Sequence, residues 1–224
     1  MKKILALILA TLMLVTLVAC GTPAETTGGE DENTNTPTGD VTDAPETDAP
    51  ETDAPVAGDA VAENALEIIN TVWESITDAE REELYFSVCG GFGDDMSWDA
   101  PGAVPTDIED GRLTAMSYFI LNEELLAMID GEIGMAMNPM ASRNFTAGCF
   151  HIADSANVDT FAAALKDAVL NNQWACGFPE KYTLIVIGDY VLSMYGAASQ
   201  IDAFTAKTQA AYENATVVAV ENIA

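Results

Sequence analysis

The chain has 224 residues and a net charge of −28, from 36 acidic residues against eight basic ones and one histidine. Charge this one-sided leaves no basic footprint for nucleic acid, whose binding needs Lys and Arg to displace phosphate counterions, and none for adsorption to anionic lipid headgroups. Favourable long-range partners are cations and basic surfaces, and the plainest role of the charge is solubility.

The first residues, Met1-Lys2-Lys3, precede an apolar run from Ile4 to Val18 that closes on Leu17-Val18-Ala19-Cys20-Gly21. A positive start followed by an apolar stretch too short for a stable span marks a secretory segment that is removed, here residues 1–19. The Leu-Val-Ala-Cys run resembles the lipobox of bacterial lipoprotein signals. That resemblance implies that Cys20 becomes the first mature residue. It would carry a diacylglyceryl thioether, with acyl chains of the palmitate type, on the extracytoplasmic face of the cell membrane. Two or more acyl chains hold firmly enough that release needs proteolysis. The plainer readings are a cleaved signal with an incidental cysteine and an uncleaved anchor.

The spacer, residues 20–60, consists after Cys20 of Thr, Pro, Asp, Glu, Gly, Ala and Asn apart from Val41 and Val56, with no aromatic and no basic residue, and cannot bury a core. Within them a pentad recurs as Thr42-Asp43-Ala44-Pro45-Glu46 and Thr47-Asp48-Ala49-Pro50-Glu51, then in part as Thr52-Asp53-Ala54-Pro55. Spaced prolines and repelling carboxylates predict a disordered, stiffened spacer extending up to ~3 Å per residue.

A single α+β domain is expected over 61–224, with a helical and loop lid at 61–143 and the main sheet at 144–224. Leu66, Ile69, Val72, Trp73 and Ile76 recur at helical spacing behind a candidate Asp59 cap. Thr77-Asp78-Ala79-Glu80 is a capping box that restarts a short helix to about Phe86. Cys89 to Gly111 reads as a long irregular loop, and Leu113 to Leu121 is ambiguous between strand and helix. Asn122-Glu123-Glu124 opens a short helix, and Ile133, Met135 and Met137 alternate as in a strand. Phe145 to Ala153 reads as a strand, followed by a helical stripe from Val158 to Val169. Tyr182–Ile187 and Tyr190–Tyr195 flank Gly188-Asp189, a two-residue hairpin signal. Ser199 with Asp202 is the expected cap of a helix carrying Ile201, Phe204, Ala211 and Tyr212, and Thr216 to Val220 is the final strand. The order β-α-β-β-α-β is that of the ferredoxin-like split βαβ sheet, with both helices on one face. They would cover Phe150 and Ile152, leaving Phe145, Cys149 and His151 to the lid.

Asn138-Pro139-Met140, the strand and helix after it, Trp174-Ala175-Cys176-Gly177-Phe178-Pro179-Glu180 and Gly188-Asp189-Tyr190-Val191-Leu192 together resemble an uncharacterised family of lipoproteins from Gram-positive gut bacteria. The resemblance covers roughly the last hundred and ten residues. It implies a domain of unknown function in a lipoprotein setting and supplies no activity, cofactor or site residue.

Candidate chemistry is sparse. Cys149 and His151 share one face of a strand, and with Cys89 and Cys176 they could offer zinc three thiolates and an imidazole, but C-x-x-C spacing is missing. In an exported protein a disulfide or buried thiols are the plainer fates of those cysteines. Met116, Met128, Met135, Met137 and Met140 could present thioethers to cuprous copper, or fill a core. Asp94, Asp95, Asp99, Asp107, Glu109 and Asp110 gather carboxylates without the EF-hand order that calcium sites of that class require. Cys89-Gly90-Gly91-Phe92-Gly93 lacks the lysine and hydroxyl of a P-loop. No G-x-S-x-G elbow is present, and one histidine ties any catalytic triad to His151. No catalytic residue and no cofactor are assigned. The function expected is an unknown binding or interaction activity toward an extracytoplasmic ligand or protein, presented on the acidic tether. The rivals are an envelope-acting hydrolase and a small solute-binding lipoprotein of a transporter. A pocket joining His151 to the carboxylates of residues 94–110 would favour the enzyme.

Overall fold

Asn64 opens the folded region by accepting a hydrogen bond from the Glu67 backbone N–H at 2.9 Å, which caps helix α1 (Ala65–Ser75). The computed structural model describes residues 64–175 and 177–223. The signal segment, Cys20, the spacer, the Asp59 cap and Cys176 lie outside the described residues.

Along α1, Ala65, Ile68, Ile69, Val72 and Trp73 are buried, one stripe at helical period. Thr77 and Glu80 form the expected capping box on α2 (Asp78–Glu83). The helix stops at Glu83 because Tyr85 turns left-handed at φ 50°, with Phe86 N–H donating to the Arg81 carbonyl and Tyr85 N–H to that of Glu82. The segment expected as one long loop instead contains strand β1 (Gly102–Val104) and the start of α3 (Glu109–Phe119). The ambiguous stretch is thus helical. Its stripe was faint because only Gly111, Ala115 and Phe119 are buried. Asn122 caps α4 (Glu123–Leu126) at the Leu125 N–H, and β2 (Ile133–Met137) follows.

The remaining elements come in the expected order: β3 (Phe145–His151), α5 (Val158–Leu170), β4 (Lys181–Ile187), β5 (Tyr190–Gly196), α6 (Ala198–Ala211) and β6 (Ala215–Asn222). Gly188 and Asp189 make the hairpin, with Ile187 opposite Tyr190 and Gly188 at φ 58°. All six strands form one antiparallel sheet in the order β1-β2-β3-β5-β4-β6.

The strand order departs from the ferredoxin-like one. There the last strand lies beside the first, whereas here β6 pairs with β4, and β2 occupies the flank of β3. Both crossovers are still split βαβ units, β3-α5-β4 around β5 and β5-α6-β6 around β4. The two move in the same direction across the sheet but start from strands that run oppositely. Right-handed crossovers must then place their helices on opposite faces.

This corrects the expectation that both helices share a face. Helix α5 packs with α3 and α4 against Phe150, Ile152, Leu184 and Val191, whereas α6 packs with α1 against Phe145, Cys149, Ile185 and Leu192. The predicted division of β3 into alternate sets holds, with each set under its own helices. The lid is likewise split: α1 covers one face, α3 and α4 the other, and β1 and β2 extend the sheet. Coverage on both sides explains why all five residues of β2 are buried.

Helix α1 lies close to the sheet because its seat is made of small side chains. Gly134 and Ala136 sit opposite Cys149 and Ala147, and a Cβ on Gly134 would lie 2.5 Å from the Ala65 carbonyl oxygen. The other end of this face is filled by Trp73, Phe86, Phe145 and Phe204. The Phe86 and Phe145 rings meet nearly edge-to-face at 4.6 Å, joining the end of α2 to β3 and α6.

Candidate functional site

His151 ends β3 at the rim of the sheet, half-exposed, while Cys149 two residues earlier is sealed under α1. The His151 ring lies 4.8 Å from that of Tyr190 across the strand pair. The cleft beside it, about 370 Å³, is walled by the loop carrying Asp130 and Glu132 and by the start of α1. Asp130 is held there because its N–H donates to the His151 carbonyl at 2.9 Å, after a bridge between Ile129 and Ile152. The His151 Nδ1 to Asp130 Oδ2 distance is 3.8 Å, beyond hydrogen-bond reach, so Asp130 does not orient the imidazole through a hydrogen bond. The carboxylates of residues 94–110 are not in this cleft.

Full burial pushes the Cys149 thiol far above its ordinary range, and burial also raises Cys89. A thiol so placed is neutral and shielded, the opposite of an activated nucleophile. The zinc arrangement fails on placement as well. Cys89 belongs to the core on the α5 face and Cys149 to the core on the α1 face, so the sheet separates them. Among the described residues, no three His, Cys, Asp or Glu side chains converge as metal ligands. Met135 and Met137 are buried and Met116 and Met128 pack against the same core, while Met140 is exposed at 89%. They do not form one thioether site.

A second cleft, about 310 Å³, opens where three segments meet over β5. The first is the loop before β3. Asn138 accepts from the N–H groups of Met140 and Ala141 at 3.0 Å each, and Thr146 Oγ1 donates to the Ser142 carbonyl, so Arg143 is presented from a fixed turn. The second is the end of α3, where Ile120 adopts left-handed backbone angles of φ 60° and ψ 36°. That conformation is costly for a β-branched residue and marks a place where the surroundings dictate the chain. The Tyr195 hydroxyl holds this end by donating to the Tyr118 carbonyl at 2.6 Å. The third is the segment after α5, where Trp174 meets the Tyr195 ring at 4.8 Å and 62°. Gly177, at φ 120°, brings the backbone so close that a Cβ there would lie 3.1 Å from Arg143 Nε.

Three properties set this cleft apart. Arg81, Arg112, Lys166, Lys181 and Lys207 each pair with a carboxylate, and among the described residues Arg143 alone of the six cations does not. The Trp174 indole N–H is shielded from water and has no hydrogen-bond partner. Such a group costs about 1–3 kcal/mol and is uncommon without a reason. Among the described residues the cleft lining contains no acidic residue, although residues 64–224 carry 24 of the 36 acids and six of the eight bases.

Sequence reasoning placed Cys149 and His151 on one face correctly but missed Arg143, Trp174 and Ile120 as neighbours. The available signal was scarcity: Arg143 is one of six cations after the signal segment, and only the fold reveals which five are neutralised. Asn138-Pro139-Met140 and Trp174-Ala175, singled out in the sequence as parts of a larger resemblance, come together at this cleft. Neither any known protein family, nor any characterised protein, nor any solved structure matches this chain.

Proposed function

We propose that this chain is a lipoprotein, anchored through Cys20 at the extracytoplasmic face of the cell membrane, whose folded domain is a binding module. The carrying observation is Arg143, among the described residues an unneutralised cation fixed at a cleft with no carboxylate in its lining. A buried or half-buried cation without a partner is unfavourable in the free protein and becomes favourable when a ligand supplies the missing charge. The enzyme alternative has less support, because the Cys149 thiol is sealed away from the His151 cleft and Asp130 lies too far from the imidazole to orient it by a hydrogen bond. The anchor rests on the lipobox sequence that ends at Cys20. Among the described residues no helix is long and apolar enough to cross a membrane.

Thermal unfolding of the full chain in detergent, with millimolar amino acids, nucleosides, monosaccharides, short-chain acids and polyamines, tests the module. A solute should raise the melting temperature of the wild type and of His151→Gln but not of Arg143→Gln. Chemical conversion of a solute, lost in His151→Gln, would overturn the reading. The anchor is tested by fractionating cells that express Cys20→Ser, which should yield released protein or an uncleaved precursor. A mature, unlipidated form retained in the membrane would refute it.

A further inference from the structure

We infer that the Arg143 cleft takes a ligand bearing a single carboxylate on a compact apolar body, with the carboxylate on the guanidinium. This rests on the binding-module reading and names the ligand class for that site.

The guanidinium presents a planar fork of N–H donors that a carboxylate matches with two parallel hydrogen bonds. Phosphate matches the same fork, so charge decides between them. The folded part carries an excess of 18 acids, 24 less six, and its field repels a dianion more strongly than a monoanion. One cation offsets one charge and leaves the second uncompensated. A cationic ligand would meet no carboxylate in the lining and would be repelled by Arg143 at short range.

The rest of the wall is apolar or neutral. Ile120, Met140 and Trp174 line the cleft together with Arg143, and Asn172 and Ser142 add uncharged polar groups. Met140 is 89% exposed and free to fold over an occupant, as its flexible thioether suits. A volume near 310 Å³ lies at the small end of the ~300–1,000 Å³ of ligand pockets, which limits the body to a single ring or a short chain. The unpartnered Trp174 N–H gives such a ligand a second point of recognition, because an acceptor beside the carboxylate would satisfy it after a small shift of the ring.

The carboxylate can come from a free acid or from the end of a peptide. Isothermal titration of the full chain in detergent with 3-phenylpropionate, 3-phenylpropionamide, inorganic phosphate, Gly-Gly-Phe and Gly-Gly-Phe-amide separates these sources. The acid should bind at least about tenfold more tightly than its amide, and phosphate more weakly than the acid. Arg143→Gln should abolish the acid's advantage, and Arg143→Lys should keep part of it. In ¹⁵N-labelled wild-type protein, the Trp174 indole N–H resonance should move with the acid and not with the amide, a readout independent of whether the variants fold. Gly-Gly-Phe binding more tightly than the free acid, with its amide silent, identifies a peptide terminus as the source; the reverse order identifies a free acid. Equal binding of acid and amide, preference for phosphate, or an unchanged acid preference in Arg143→Gln overturns the inference. If carboxylates fail while an uncharged solute or an amine raises the melting temperature through this cleft, the ligand class falls and the binding module stands. If no probe of either set binds, both fall.

Discussion

Glu180 Oε2 accepts a hydrogen bond from the Ala198 backbone N–H at 2.8 Å, so a carboxylate just before β4 caps helix α6 from outside. Ala197, at the N-cap, has no side chain able to do this, and the Ser199 and Asp202 cap expected from sequence is not used. Asp202 instead pairs with Lys181, the residue after Glu180. Both contacts tie the start of β4 to the first turns of α6. A carboxylate at a helix N-terminus satisfies a free N–H and complements the macrodipole. Glu180→Ala should therefore lower stability in urea by about 1 kcal/mol. Adding Ala197→Asp should restore most of it, because Ala197 already has extended N-cap angles of φ −64° and ψ 133°. A double variant no more stable than Glu180→Ala would count against this account.

The lapse over the α6 cap shows where the sequence was legible. Periodicity located α1, β3, α5 and the Gly188-Asp189 hairpin because each signal lies within its own segment. Which residue caps α6 was not legible, because Glu180 is 18 positions from Ala198 in sequence. The sheet order was hidden for the same reason. The β-α-β-β-α-β string permits β6 to pair at either edge, and β2 decides the matter by occupying the flank of β3. With that edge filled, β6 joins β4 and the crossover rule sends α6 to the other face. Arg143 escaped notice because being unpaired is a property of all the other cations and their partners, not of its neighbours in sequence.

Tyr85 occupies the left-handed position that ends α2, a place that favours glycine, and its side chain is 88% exposed. Its ring therefore recovers little burial against the backbone strain. Tyr85→Gly should raise stability by about 1 kcal/mol, and Tyr85→Ala should not. Equilibrium unfolding in urea measures the difference. Loss of stability in the glycine variant would mean that the exposed ring has a structural role not visible in its contacts.

Gly134 is required by the approach of α1 to β2. With the Ala65 carbonyl oxygen only 2.5 Å from where a Cβ would stand, backbone rather than a side chain would have to move. Gly134→Ala should cost about 1–3 kcal/mol, the range for an overpacked core. Gly131→Ala provides a control. Its turn has no neighbour within 4 Å, so only the strain of φ 76° remains. Circular dichroism melts should rank Gly134→Ala below the control.

Glu80 links pH to stability. The Lys207 ammonium beside it, with the Thr77 N–H and hydroxyl, lowers its carboxyl from the ordinary 4.5 to about 2. A lowered folded-state pKa contributes stability that is present above 4.5 and is lost as pH falls toward 2. The Glu80 side chain is 41% exposed, so solvent screening keeps this contribution below about 1 kcal/mol. Carbon-detected NMR should show Glu80 titrating near pH 2 in the wild type and closer to 4.5 in Lys207→Ala. Glu80→Gln should flatten this component of the acid dependence, leaving that of the other carboxylates. A wild-type midpoint near 4.5 would exclude the Lys207 bond as a persistent contact.

Cys89 and Cys149 supply the last expectation, because the sheet itself keeps them apart. Each is at most 1% exposed, in cores on opposite faces, and burial holds both thiols protonated. A disulfide requires Cα atoms within about 7 Å and Cβ atoms directed at each other, which opposite faces of one sheet forbid. Non-reducing peptide mapping should find no Cys89–Cys149 bridge. Under native conditions, both thiols should react with a colorimetric disulfide reagent only as fast as the protein opens, and at once in denaturant. Added urea should therefore accelerate both reactions in step with unfolding. Rapid labelling of Cys149 in the native protein would instead mean that α1 lifts from its seat of small residues, exposing the thiol beside His151.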